Sequence, residues 1–216
     1  VGIEAQLKAR AAELGFDVCR VAAAQTAPHA ASFFDWIAGG QHGDMQWLAR
    51  EPERRTDPRL VLAGARAVVV VAANYYQADA ARSAPGRFAR YAWGLDYHDI
   101  LLTQLEHLAA VLEAAGGVQK CYVDTGPVLE RDFAAEAGVG WQGKSTLCVN
   151  ERLGTWFFLG TVLTTLPLEP DPPARGRCGT CRRCLDACPT GALTGPYRLE
   201  ATRCLSYLTI EHQGSI

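Results

Sequence analysis

Apolar residues three and four positions apart open the chain: Ile3, Leu7, Ala11 and Leu14 fall on one helical face, and Gly15 follows as a stop. Phe16 to Ala23 reads as a strand, with Cys19 inside it as a small core residue. Ser32 to Ala38 has helical spacing. The next stretch, Gly39-Gly40-Gln41-His42-Gly43-Asp44, is a flexible loop whose three glycines in five residues suit either a binding lid or a plain connector. Met45 to Arg50 is a short helical turn, and Glu51 to Arg59 is an irregular charged surface segment set by its prolines. Ala67 to Tyr76, centred on Val68–Val71, is the strongest strand, and its unbroken apolar run requires cover on both faces.

Arg87 to His98 is rich in aromatic and ionisable residues and has no clean period, the composition of a ligand-lining segment. His98 taken alone reads as a satisfied histidine rather than a ligand. Leu101, Leu105, Leu108 and Leu112 then mark the buried stripe of a helix from Tyr97 to Ala115, closed by Gly116-Gly117. Val118 to Asp124 is a second strand containing Cys121, and Pro127 stands as the first residue of a helix over Val128–Ala137. Thr155 to Thr165 is a further buried strand. The proline-rich Leu166–Gly176 marks a boundary, dividing an α/β body (1–170) from a cysteine-bearing segment (171–216). In that segment, helical spacing through Leu199, Arg203, Ser206, Tyr207 and Ile210 puts Cys204 on a short helix.

With 216 residues, about half of them hydrophobic, the chain can bury a full core and is long enough for an enzyme. A net charge of −2 gives no global nucleic-acid footprint. One local basic patch stands out, because Arg175, Arg177, Arg182, Arg183, Arg198 and Arg203 face only Asp186 and Glu200 over 29 residues. No apolar run is long enough for a membrane span, and nothing at the N-terminus resembles a secretory signal. The start at Val1 and the stop just after a helical pattern read as a fragment of a longer protein.

Cys178, Cys181, Cys184 and Cys188, separated by two, two and three residues and closed by Pro189, have the spacing of a ferredoxin-type iron–sulfur run. Structural zinc fits this three-plus-one spacing poorly, and disulfides need an oxidising compartment. In two-cluster ferredoxins the fourth cysteine serves the other cluster, so a second run is expected; the sequence holds none that is complete. Gly138 to Ser145 satisfies the phosphate-loop pattern literally, but a helix precedes it and a strand follows, the reverse of that motif's context. Its glycines read instead as permitting close approach to something bulky and flat, with Trp141 and Cys148 nearby. Asp124, at a strand end ahead of a helix, is placed either for chemistry or for helix capping.

Several stretches together resemble epoxyqueuosine reductase: Asp124–Arg131, Gly138–Lys144, Trp156–Gly160, Cys188–Ala192, Cys204–Glu211, Arg90–His98 and Gly43–Met45. The resemblance implies a cobalamin-binding α/β sheet-and-helix domain related to reductive dehalogenases, followed by a ferredoxin-like segment. It implies reduction of epoxyqueuosine to queuosine in the anticodon wobble position of tRNA with a GUN anticodon, using cob(I)alamin fed through two [4Fe-4S] clusters. A low-potential electron donor, a cytoplasmic location and a monomeric state without membrane attachment come with it. Cys178, Cys181 and Cys184 would hold one cluster, and Cys188 and Cys204 would contribute to the other. Further cysteines and tRNA-binding repeats would lie beyond Ile216. Arg55, Asp124, Cys148, Leu159, Ser206 and Glu211 would contact the corrin, with Asp124 the proton donor. A helix N-terminus would make Asp124 a poor acid, so burial would have to raise its pKa. The rivals are a non-catalytic electron-transfer module and a reductive dehalogenase-like cobalamin enzyme.

Overall fold

A computed structural model describes residues 2–78 and 88–215, so Arg87, the first residue of the aromatic segment, lies outside the described residues. The elements in chain order are α1 (Ile3–Glu13), β1 (Val18–Ala23), α2 (Ala30–Ala38), α3 (Gln46–Ala49), α4 (Pro52–Thr56), β2 (Ala67–Asn74), α5 (Tyr97–Ala114), β3 (Gln119–Tyr122), α6 (Glu130–Glu136), β4 (Trp141–Gln142), β5 (Cys148–Val149), β6 (Phe157–Thr164), α7 (Arg183–Asp186) and α8 (Leu205–Ile210). Among the described residues, no helix is long and apolar enough to cross a membrane.

The main sheet runs β1-β2-β6-β3, and every pairing in it is antiparallel. Val69 sits between Val21 on one side and Val162 on the other. The pleat sends Val69 and Val71 to one face and Val68 and Val70 to the other, and all four are buried. On the first face α1 and α5 close over them with Leu7, Ala11, Leu101, Leu105, Leu108 and Leu112. On the second face α6 and the β4–β5 hairpin supply Phe133, Ala134, Ala137, Val139 and Cys148. The body is therefore a three-layer sandwich. Burial on both faces is usual for parallel strands, and here an antiparallel sheet achieves it because both its faces carry helices.

Three local expectations are revised. Glu51 to Arg59 is not irregular: Pro52 starts α4, and Asp57 accepts from the Arg59 N–H to begin a 3-10 turn over Pro58–Leu60. A proline at a first helical position begins a helix rather than breaking it. Cys204 lies in the extended break between a 3-10 turn (Ala201–Arg203) and α8, as the residue preceding that helix. Pro127 precedes α6 without starting it, because the helix begins at Glu130.

The linker after β6 is bound back onto the body. Asp171 accepts from Lys8 Nζ at 2.6 Å, Arg20 at 3.1 Å and the Val21 N–H at 2.9 Å, while its own N–H donates to Val21 O. These contacts cover the open edge of β1. Burial alone would raise the Asp171 carboxyl, but the Lys8, Val21 and Arg20 donors outweigh it and hold the pKa below the ordinary carboxylate range. At Gly138, a Cβ would lie 2.4 Å from Pro172 O, so the linker passes where only glycine leaves room.

Leu105 is fully buried at the centre of the α5 stripe. Leu105→Ala is expected to lower the unfolding free energy by about 2–5 kcal/mol in denaturant titration. A loss below about 1 kcal/mol would mean that α5 does not anchor this layer.

Candidate active site

β3 ends at Tyr122, Val123 turns into the core, and the chain then bends sharply at Asp124, which has φ +60°. The left-handed region costs a non-glycine residue about 1–3 kcal/mol and is held only where neighbours fix it. Here the Asp124 N–H donates to Glu130 Oε1 at 3.3 Å and the Thr125 N–H to Val123 O at 2.6 Å. Asp124 is not a helix cap, since α6 starts six residues later. The helix-dipole argument against Asp124 as an acid therefore loses its premise. Its side chain is 71% exposed, so burial does not act on it in the way that role was expected to require.

Residues at the start of α5 gather around this carboxylate. Asp96 caps α5 by accepting from the His98 N–H at 2.9 Å, which fixes Tyr97 and His98 on the first turn. The Tyr97 hydroxyl donates to Asp124 Oδ2 at 3.0 Å, and His98 Nε2 stands 4.0 Å from the same oxygen. His98 Nδ1 lies 2.8 Å from Asp96 Oδ1, which orients the ring. Tyr97 is stacked between Phe158 at 4.0 Å and 7° and His98 at 4.0 Å and 29°. Burial, then the Asp124 charge, pushes the Tyr97 phenol up, so it stays a proton donor to Asp124.

Glu130 is the buried counterpart of exposed Asp124. Its Oε1 accepts from the Asp124 N–H and from Thr161 Oγ1 at 3.3 Å each. Burial, reinforced by the nearby Asp124 charge, raises its pKa to about 8. Two neighbouring carboxyl groups thus differ in environment, one wet and one desolvated, and the buried one keeps its proton at neutral pH.

Asp124 borders a cavity of about 680 Å³ lined also by Trp36, Trp47, Arg55, Arg131 and Arg198. The size lies within the range of small-molecule sites. Arg55 reaches it from α4, stacked 4.8 Å from the Trp47 ring, with one guanidinium nitrogen donating to Trp47 O at 3.2 Å and another to Gly126 O at 3.4 Å. Burial lowers its pKa. Arg55 Nε and Gln142 Oε1, both on residues of the cavity wall, are buried without a hydrogen-bond partner. A buried donor and a buried acceptor left without partners call for a polar ligand or ordered water.

The other expected corrin contacts stand elsewhere. The Cys148 side chain is core, buried at 6% exposure with its thiol pushed up to about 11 by burial. Leu159 is partly buried on β6 against the second core layer. Ser206 is exposed on α8, and Glu211 follows that helix, half-buried. None of these four lines the cavity. The close approach permitted by Gly138–Gly143 is made to the chain itself: a Cβ on Gly140 would meet Val149 O at 2.5 Å, and one on Gly143 would meet the Val149 side chain at 2.9 Å.

Cys178, Cys181, Cys184, Cys188 and Cys204 are all free thiols, with Cys184 on α7 and Cys181 exposed. Among the described residues, no three His, Cys, Asp or Glu side chains close on one point as a metal site. The donor chemistry nevertheless fits a cluster. The Cys188 thiol is pulled below its ordinary pKa by the backbone N–H of Leu193 first, then by Thr190 and Ala192, surroundings that favour the thiolate form. Three of the six arginines of the local patch are ion-paired, Arg177 with Glu151, Arg182 with Asp186 and Arg203 with Glu200. The glycine-rich loop of 39–44 is pinned by this lobe: Tyr207 Oη donates to Asp44 Oδ2 at 2.7 Å and accepts from the Asp44 N–H at 2.8 Å, and Gly43 leaves no room for a Cβ beside that ring. Trp36 Nε1 also donates to Leu199 O at 2.6 Å, closing one end of the cavity against the lobe.

These features define a class: a mixed α/β body with a ferredoxin-type cysteine lobe closing one wall of a polar, aromatic cavity. Residues 55–125 match the family model described as Epoxyqueuosine reductase QueG, DUF1730, and residues 177–216 match the 4Fe-4S double cluster binding domain. The chain is 38% identical over 216 residues to the epoxyqueuosine reductase of Leadbetterella byssophila, covering 98% of this chain and 70% of that protein. It is 40% identical over 221 residues to that of Xanthomonas campestris, covering 98% and 62%. A crystal structure of epoxyqueuosine reductase with a tRNA-Tyr epoxyqueuosine-modified stem loop superposes with TM-score 0.89 at 34% identity, over 96% of this chain and 57% of that one. The chain belongs to the epoxyqueuosine reductase family, and it spans 57–70% of the length of these relatives. The catabolic reductive dehalogenase NpRdhA shares the fold at TM-score 0.54 and 16% identity.

Glu130 sets a pH test. Its pKa rises from 4.5 to about 8 on folding, so its stabilisation is complete below pH about 4.5 and is lost as pH rises through about 8. Glu130→Gln keeps the accepting oxygen but does not titrate. Its melting temperature relative to the parent is expected to climb between about pH 5 and about pH 9; a constant difference would show that Glu130 is not desolvated.

Proposed function

We propose that the complete protein is an oxidoreductase that reduces epoxyqueuosine to queuosine in the wobble position of tRNA, with Asp124 giving a proton to the departing epoxide oxygen. The observation that carries this reading is the placement of Asp124: an exposed carboxylate on a constrained turn, gripped by Tyr97 and flanked by His98, at the rim of the cavity. A solved relative bearing an epoxyqueuosine-modified tRNA stem loop supports the substrate. The division into a body over 1–170 and a cysteine lobe over 171–216 belongs to the same proposal, as do a cytoplasmic monomer and a low-potential electron donor.

The cavity wall suits cobalamin through its orphaned Arg55 Nε and Gln142 Oε1, and the cysteine donor set suits iron–sulfur clusters. When bound, a corrin cobalt supplies two-electron nucleophilic chemistry and the clusters supply its electrons singly. Arg55 would hold the corrin from the α4 side. Cys178, Cys181 and Cys184 would hold one cluster; Cys188 and Cys204 would serve the other. Cys148, Leu159, Ser206 and Glu211 remain the corrin contacts that the family resemblance suggests.

The residues divide the proton work. Tyr97 donates to Asp124 Oδ2, which leaves Oδ1 free to carry and deliver the proton once substrate seated over the cavity rim takes this exposed carboxyl out of water. His98, oriented by Asp96, stands 4.0 Å from the same carboxyl, a gap that one bridging water spans, and through such a water it would restore that proton after turnover. Glu130, protonated at neutral pH, keeps a second negative charge from accumulating beneath Asp124.

Asp124→Asn in the complete protein is expected to slow single-turnover reduction of an epoxyqueuosine-bearing tRNA stem loop by about 10²–10⁴-fold while the protein still binds cobalamin. Near-parental turnover would remove Asp124 from the chemistry. Cobalamin added to the purified complete protein is expected to change its absorption spectrum. An unaltered spectrum would favour the electron-transfer module instead.

A further inference from the structure

The Gly-Lys-Ser stretch that mimics a phosphate loop has no phosphate role, yet its lysine is committed. Gly143 to Leu147 forms the tip of the β4–β5 hairpin, closed by Gly143 N–H to Leu147 O at 2.8 Å and Thr146 N–H to Gly143 O at 2.9 Å. From this tip the half-buried Lys144 crosses to the cysteine lobe. Its ammonium donates to Gly179 O at 2.6 Å and to Cys181 O at 3.0 Å. Its own carbonyl accepts from the Tyr197 N–H at 3.0 Å. The two carbonyls that it clamps belong to the turn Cys178–Cys181, which is closed by Cys181 N–H to Cys178 O at 2.9 Å. Two positions to either side of Lys144, Gln142 and Thr146 line the cavity, and Thr146 O accepts from Arg131 at 3.0 Å.

We propose that Lys144 is a positioning residue for the cluster held by Cys178, Cys181 and Cys184: it locks their turn to the cavity wall and raises that cluster's reduction potential. The proposal rests on the iron–sulfur reading above. The mechanism has two parts. Two carbonyl contacts from one ammonium fix the backbone that carries the first two thiolates, so that ligand loop and cavity wall move as one body. A cation fixed beside an anionic cluster favours its reduced, more negative form, and cluster potentials follow local charge and hydrogen bonding. Lysine suits this place because a flexible stem ending in three donors can satisfy two carbonyls from outside the turn. No bond is made or broken at Lys144, and electrons pass through the cluster alone.

The test uses the complete chain reconstituted anaerobically with iron and sulfide, as parent, K144M and K144R, with redox titration followed by electron paramagnetic resonance and amide exchange over residues 177–184. K144M is expected to make one cluster about tenfold harder to reduce, which is about 59 mV for a one-electron couple, and to speed exchange at Cys178–Cys181. K144R, which keeps the charge, is expected to titrate as the parent does. Loss of the cluster in K144M but not in K144R would support the assignment equally. A K144M protein with parental potentials overturns it, whatever its exchange rates, as does loss of the cluster in both variants. A parent chain that takes up no iron and sulfide overturns the iron–sulfur reading itself, a result separable from failure of Lys144 because it appears without any substitution.

Discussion

The structure depends on one constraint: β2 is apolar at every central position and cannot leave either face in water. Val68 to Val71 are at most 1% exposed, and β6 runs antiparallel beside them over eight paired residues. Covering the first face requires α1 and α5, and covering the second requires α6 and the hairpin. That arrangement decides where the candidate site lies. β6 enters the sheet at Phe157–Phe158, α5 begins beside it at Tyr97, and β3 leaves the sheet at Tyr122. The start of a buried helix and the end of a short strand therefore meet at one edge, and Asp124 is the residue caught between them.

Polar contacts bind the cysteine lobe to this body, and they do so at separated points. Asp171 ties the linker to Lys8, Arg20 and β1, Asp44 grips Tyr207 and His212, and Lys144 holds the cysteine turn. Hydrogen bonds of this sort each contribute modestly, about 1 kcal/mol net, but they have strict geometry. Their combined effect is orientation more than stability. The glycines complete it: Gly43 and Gly138 stand where a side chain would collide with Tyr207 or Pro172. The lobe can dock only on a backbone that leaves these gaps.

The site separates its carboxyl groups by solvation. Asp124 is wet and hydrogen-bonded, Glu130 is desolvated and neutral, and Asp96 is held below its ordinary pKa by the His98 N–H and ring. Tyr97 joins these groups because it stacks on the sheet through Phe158 while its hydroxyl reaches Asp124. An aromatic ladder is stiff, so it fixes a hydroxyl at a loop that would otherwise have few constraints.

Periodicity by itself determined the elements that bury most area: the α5 leucine stripe, the Val68–Val71 strand and the helix ending at Gly15 are local patterns, and each formed where it was expected. The iron–sulfur segment was equally legible, because cluster spacing is a property of contiguous chain, and residues 177–216 match a 4Fe-4S double cluster binding domain. What lay hidden depends on partners far apart in sequence. His98 alone gave no sign of Asp124, 26 residues on, and nothing local marks Glu130 as desolvated. The glycines of 138–143 announced a close approach without naming its partner, which proved to be the chain's own β5. Lys144 meets Cys181 across 37 residues, and Tyr207 meets Asp44 across 163. A sequence encodes period and turn chemistry residue by residue, whereas burial, ring stacking and the company a carboxylate keeps arise only once the layers have closed.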